Sequence, residues 1–329
     1  MLQQRRLGKT GLSVSELALG TWGLASGSYG PVALRDFVRI IGSAWDEGVT
    51  TFDMAPLWGQ GEAESTVGMA LAPYRERACL VSRGGRNMLN GQVVSDFEPT
   101  ALRRDLEASL KRLGTDYLDV WLLHEPREDV FEQEDVLELL GALKQEGKVR
   151  AWGASVSSGA HARAALNAHA EVLCVVHNVL SPMVLPPLKA DVERLGVGIL
   201  VRSALAYGLL AGRWNDAHRF EHDDHRYERW DRDTFRRRIQ QVESLRTLLK
   251  PPVTSLTALA LRYLLADGVV SSVLLGARSL EHVREAVSAI HEPPYLTEPQ
   301  VQELQEFQST WGLHDTVPWG LPISRQQTP

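Results

Sequence analysis

Asp53, Arg83 and His124 lie at the ends of three successive apolar runs, TTFDMA (50–55), ACLVSR (78–83) and YLDVWLLH (117–124). A carboxylate, a guanidinium and an imidazole thus recur at equivalent places in one pattern. The first two types can form an ion pair, the guanidinium can hold an oxyanion, and the imidazole moves protons near neutral pH. Trp58 follows Asp53 by five residues, and Thr21 and Trp22 end the run before it. Ser155, His177, Asn178 and either Arg202 or Ser203 end later runs. Singly, each has a structural explanation as a satisfied ion pair or hydrogen bond. Their shared place in the pattern gathers them at one mouth if the runs are parallel strands.

The elements that would position them are eight short β-rich runs. To the three above are added SELALGTW (15–22), VRAWGAS (149–155), VLCVVHN (172–178), GILVRSA (198–204) and SSVLLGA (271–277). Between them lie segments of helical period, such as ALRDFVRIIGSAWDEG and PTALRRDLEASLKRLG. Near-continuous apolar strands alternating with helices imply a parallel sheet covered by helices. The predicted fold is α/β, a (β/α)8 TIM barrel in a single domain over 1–329, with an open doubly wound sheet as the alternative. RRLGKTGLSVS predicts an N-terminal β-hairpin around Lys9–Thr10–Gly11 that plugs the barrel floor. Residues 206–235 form a long loop before the last strand, polar and aromatic, and are expected to act as a lid. The 310–329 tail is expected to be flexible at SRQQTP, with Trp311 or Trp319 reaching the mouth.

Composition removes several function classes. The 329 residues carry 35 Lys and Arg against 41 Asp and Glu, a formal charge of −6, with no basic block suited to nucleic acid. No run approaches the roughly 18–20 apolar residues of a membrane span, and the N-terminus lacks a signal-peptide pattern, so a cytoplasmic protein is expected. Cys79 and Cys174 each sit in an apolar run and are expected to be reduced and buried. His218, His222 and His225 alternate with Asp223 and Asp224 but match no zinc or calcium spacing, so no metal is predicted. No heptad or apolar stripe specifies an oligomer, and a monomer is expected.

Five ordered blocks carry a wider resemblance: RRLGKTGLSVSELALGTWGL, GVTTFDMAPLWGQGEAESTVGMAL, SLKRLGTDYLDVWLLHEP, GKVRAWGAS and LLGARSLEHV. From about residue 4 to residue 290 the chain resembles the aldo-keto reductase superfamily. That resemblance implies an NADPH-binding barrel that reduces carbonyls with a tetrad of Asp, Tyr, Lys and His, in which Tyr gives the proton and Lys with Asp lowers its pKa. Carried over position by position, the catalytic set becomes Asp53, Trp58, Arg83 and His124, with Trp58 in the Tyr place and Arg83 in the Lys place. An indole N–H does not ionise usefully and a guanidinium stays charged, so neither performs the usual relay.

The resemblance assigns cofactor contacts to Gly20, Thr21, Ser155, His177, Ser203, Leu205, Gly208, Leu209, Gly276, Arg278 and His282. Contacts for the nicotinamide end are altered: the expected Ser-Asn pair reads Ser155-Val156, the expected Gln reads Cys174, and the stacking aromatic reads His177. At the adenine end Gly276 and Arg278 match, Arg278 suiting a 2′-phosphate, while the usual Asn reads Ala286. Trp22, Trp58 and His124 are expected to line a substrate pocket for an apolar or anionic small molecule.

Three functions follow from these residues. One is NADPH-dependent carbonyl reduction or its reverse, with His124 or a water held by Arg83 as the proton donor. Another is non-redox chemistry (dehydration, isomerisation, elimination or cyclisation) with His124 and His177 as acid and base and Arg83 binding an oxyanion. The third is a nucleotide- or protein-binding pseudoenzyme.

Overall fold

The computed structural model describes residues 2–311 apart from Ser26 and Glu292. Eight parallel strands close a barrel: β1 (Leu17–Gly20), β2 (Thr51–Asp53), β3 (Cys79–Gly84), β4 (Leu118–His124), β5 (Val149–Val156), β6 (Val172–Val176), β7 (Gly198–Arg202) and β8 (Val270–Leu275). Each pairs with the next, and β8 pairs with β1 through Val273–Leu17 and Leu275–Leu19. Closure removes both sheet edges, so every strand can be buried on both faces. β3 and β4 are buried along their whole length. The open-sheet alternative is thereby excluded.

A helix follows each strand: α1 (Leu34–Asp46), α2 (Glu62–Leu71), α3 (Pro99–Leu113), α4 (Glu134–Gln145), α5 (Gly159–Asn167), α6 (Lys189–Leu195), α7 (Leu256–Ala266) and α8 (Leu280–Ala289). Their apolar faces join the outward strand residues in one continuous core. A second, inner cluster fills the barrel. There Leu7, Leu12 and Val14 of the N-terminal hairpin meet Val81, Val120, Leu122, Cys174 and Leu200. The hairpin strands Gln4–Arg6 and Ser13–Ser15 pair antiparallel, and this plug is the one expected from the sequence. Cys79 and Cys174 are free and buried.

Three departures from the sequence reading matter. A second hairpin, Arg86–Leu89 with Gln92–Ser95, follows β3 and was not foreseen. The segment expected as one long loop already contains a short helix, Arg226–Arg229, and Arg232 begins a helix that runs to Ser244. A further helix spans Glu298–Thr310; the expected tail from 312 onward, Trp319 included, lies outside the described residues. Among the described residues no helix is long and apolar enough to cross a membrane.

A buried polar junction fixes the elements that carry the site. Glu64, at the start of α2 just after Trp58, is fully buried. It accepts from Ser82 Oγ at 2.5 Å, one residue before Arg83, and from Arg112 Nε at 2.6 Å. One carboxylate therefore ties α2, β3 and α3 together. Arg112→Ala leaves that carboxylate buried without its cation and should lower unfolding free energy by about 3 kcal/mol, read from urea denaturation.

Candidate active site

Asp53 and Arg83 meet inside the barrel mouth, 2% and 1% exposed. Arg83 Nη1 donates to Asp53 Oδ1 at 2.6 Å and to the Met54 carbonyl at 2.8 Å, and Nη2 reaches Cys174 Sγ at 3.5 Å. The guanidinium also lies over the Trp58 ring, 4.8 Å from its centroid. Burial opposes the charge on Arg83, but Asp53 and the Cys174 sulfur more than offset this and hold the guanidinium protonated. Burial pushes the Asp53 carboxyl upward, and the Arg83 charge pulls it back. Both Nη groups of Arg83 are thus committed within the protein. Arg83 still lines the cavity and its Nε has no partner, so the expected hold on a substrate oxyanion or a catalytic water competes with the pair to Asp53.

His124 ends β4 and is 8% exposed. Burial drives its pKa well below the usual imidazole range, reinforced by the charges of Arg83, Arg86 and Arg202. It is neutral at pH 7, with one N–H to donate, and its buried Nδ1 has no partner. Immediately after it, Glu125 has φ of 51° and turns its carboxylate to Arg202 Nη2 and to Ser157 Oγ, the latter at 2.6 Å. Ser203, Ala206 and Tyr207 also have positive φ, so the unusual backbone gathers at the ends of β4 and β7.

These groups open into one cavity of about 610 Å³. It runs from Gly20, Asp53, Trp58, Arg83, His124 and Ser155 at the strand ends to Gly276, Arg278 and His282 at the start of α8. Trp22, Ser203, Leu205 and Gly208 also line it, so most of the residues singled out in the sequence share one wall. Ser279 caps α8 by accepting from the His282 N–H at 3.1 Å, which fixes the turn that presents Arg278. Arg278 donates to the carbonyls of Tyr29 at 2.6 Å and Gly30 at 2.9 Å, and its buried Nε has no partner.

Three assigned residues are elsewhere. Thr21 is fully buried, its hydroxyl donating to the Asp53 carbonyl at 2.9 Å. Leu209 is in the core. His177 is 2% exposed and packs against Tyr263, ring centroids 5.7 Å apart, so it does not offer a stacking face to the cavity. At the end of β7 the cavity wall instead carries Arg202. The acid–base pairing of His124 with His177 is not available within this cavity. Trp311 contacts Phe307 and is not on the wall.

The sequence reading missed Arg86, Glu125 and Ser157, which line the cavity, and left Arg202 undecided. Arg86 follows Arg83 by three residues, but only the unforeseen hairpin turns it inward. From the insertion, Tyr207, Trp214, Arg226 and Arg229 join the wall, and His225 closes an aromatic cluster with Trp22 and Tyr29. His218 stacks on Trp214 and His222 packs on Tyr227, so the three histidines of this segment take separate aromatic partners.

The fold and site define a class, and comparison with known proteins agrees. The sequence profile of the Aldo/keto reductase family matches residues 16–309, and the chain belongs to that family. It is 30% identical over 320 residues to L-glyceraldehyde 3-phosphate reductase of Escherichia coli (strain K12), covering 92% of this chain and 91% of that enzyme. It is 28% identical over 299 residues to aldo-keto reductase YhdN of Bacillus subtilis (strain 168), covering 88% of each. The structure of the glycerol dehydrogenase AKR11B4 from Gluconobacter oxydans superimposes with a TM-score of 0.82 at 26% identity, over 94% of this chain and 96% of that one.

Burial lowers the His177 pKa to about 4 from 6.5. The unfolded chain therefore binds more protons than the native one between those values, and stability falls as pH drops through that window. Over pH 6.5 to 4, His177→Gln should lose up to about 3 kcal/mol less stability than the native chain, measured as urea unfolding against pH.

Proposed function

We propose that this protein is an NADPH-dependent oxidoreductase that interconverts a small-molecule carbonyl and its alcohol, with neutral His124 in place of the usual tyrosine as the group facing the carbonyl oxygen. The observation that carries this reading is the single cavity joining His124 to Arg278. Its outer half is cationic: Arg213, Arg226, Arg229 and Arg278 line it, with Glu285 as the acid on that part of the wall. The unpartnered Nε of Arg278 adds an unused donor. These residues fit a phosphate-bearing cofactor, and Arg278 would offer its planar fork to a 2′-phosphate by giving up the Tyr29 and Gly30 carbonyls it now holds. At the inner end the Ser155 hydroxyl on the cavity wall would be the polar group for the nicotinamide carboxamide.

When bound, the cofactor supplies or accepts the hydride. The chain's own residues act on the other half of the reaction. The His124 N–H donates to the carbonyl oxygen and stabilises the alkoxide as it forms. Since His124 is neutral and Arg83 is bound to Asp53, the proton that completes the alcohol comes from water. Asp53 acts by fixing Arg83, and Trp58 covers the guanidinium and shapes the wall. Trp22, Tyr29, Tyr207, Trp214, Arg226 and Arg229 line the outer part of the cavity. Loss of the pairing between His124 and His177 removes the main support for acid–base chemistry without a nicotinamide.

Titration with NADPH, followed by quenching of tryptophan fluorescence, should show saturable binding that is weaker for NADH and weakened by Arg278→Ala. His124→Ala should retain binding and lose about 10²–10³-fold in kcat/KM on a carbonyl panel. Absence of NADPH binding up to millimolar concentration would overturn the assignment.

A further inference from the structure

The inner cavity holds a cation that the protein does not use. Among the described residues, the Arg86 side chain makes no hydrogen bond or ion pair, and its Nε is buried without a partner. The Glu125 charge bears on it without contacting it. The Nε atoms of Arg83 and Arg202 are likewise without a partner, but their Nη groups are taken, by Asp53 and by Glu125 with Ser157. On the inner wall three guanidiniums face two carboxylates, so one positive charge is left over, and it belongs to Arg86.

Arg86 is also held in place by construction. It opens the hairpin after β3, paired in register with Ser95. Asp105 of α3 anchors the turn, accepting from the Gly85 N–H at 3.0 Å and from Asn87 Nδ2 at 2.7 Å. Gly85 has φ of 88°, and a Cβ there would lie 2.2 Å from the Phe97 ring, so the chain must be glycine at this point. Gly84 pairs with Leu123, so Arg86 and His124 follow at neighbouring strand ends and line the same cavity, His124 facing the reacting carbonyl in the function proposed above.

We infer that Arg86 is a substrate-specificity residue: it binds a carboxylate attached close to the reacting carbonyl, so that short oxo acids, or the corresponding hydroxy acids, are the substrate class. One excess charge matches a monoanion rather than a phosphate dianion, and the guanidinium fork matches a carboxylate in two-point contact. The inference rests on the carbonyl-reduction reading only for the reaction; binding of the carboxylate is separable from it.

Isothermal titration calorimetry of the full chain with pyruvate, methyl pyruvate and inorganic phosphate tests this without turnover. Pyruvate should bind more tightly than its ester or phosphate. Arg86→Gln should weaken pyruvate about 10–100-fold, leave the ester within about threefold, and Arg86→Lys should recover part of the loss. Equal affinity for pyruvate and methyl pyruvate, unchanged pyruvate binding in Arg86→Gln, no pyruvate binding at millimolar concentration, or tighter binding of phosphate would each overturn the inference. Arg86-dependent pyruvate binding in a protein that does not bind NADPH would retain the carboxylate subsite and reject the redox reading.

Discussion

Burying Asp53 and Arg83 together is the constraint on which the inner site depends. Removing either charge from water costs several kcal/mol, so the pair depends on the partners that the two Arg83 Nη groups find, Nε being left without one. Asp53 Oδ1, the Met54 carbonyl and Cys174 Sγ receive the two Nη groups, and the Trp58 ring covers the guanidinium. This explains two departures from the reductase pattern as one change. A guanidinium is broader and flatter than an ammonium and stacks on an aromatic face, so Trp58 and Arg83 form a matched unit. Cys174, where the pattern has glutamine, accepts from the same guanidinium. Trp58 and Cys174, two positions expected from the resemblance to depart from the family pattern, therefore both contact Arg83.

That unit sets the electrostatics of the mouth. With Arg83 neutralised by Asp53 and Arg202 by Glu125, the remaining charge is displaced to the hairpin after β3. Burial, reinforced by these cations, drives the His124 pKa well down, which makes the neutral imidazole a hydrogen-bond donor rather than a strong acid. The carbonyl oxygen then meets an environment that stabilises negative charge without a dissociable phenol. The second half of the cavity is cationic for a different reason, since Arg213, Arg226, Arg229 and Arg278 come from the insertion and the last βα turn. The two ends are built from separate segments and can change independently.

The eight strands and the floor-plugging hairpin were legible because their signal is local: short apolar runs at regular spacing, with helical periods between them. Asp53, Arg83 and His124 were legible for the same reason, each ending such a run. His177 was misplaced because it too follows a run, yet the side chain that reaches the cavity at the neighbouring strand end is Arg202. Direction at a strand end depends on the local backbone, and the positive φ values at Glu125, Ser203 and Tyr207 carry no compositional mark. The hairpin bearing Arg86 was missed since RNML and QVVS are short, mixed in polarity and half exposed.

The sequence by itself determined the barrel, its plug and the residue types at the strand ends, because periodicity and apolar content act through neighbours along the chain. Tertiary structure decided which charges are spent on each other. Arg83, Arg86 and Arg202 are the same side chain in sequence, and all three line the cavity. Only the contacts made across the barrel pair Arg83 with Asp53 and Arg202 with Glu125, and leave Arg86 to face a ligand. Electrostatic pairing depends on separation and burial, and neither is written in the order of residues.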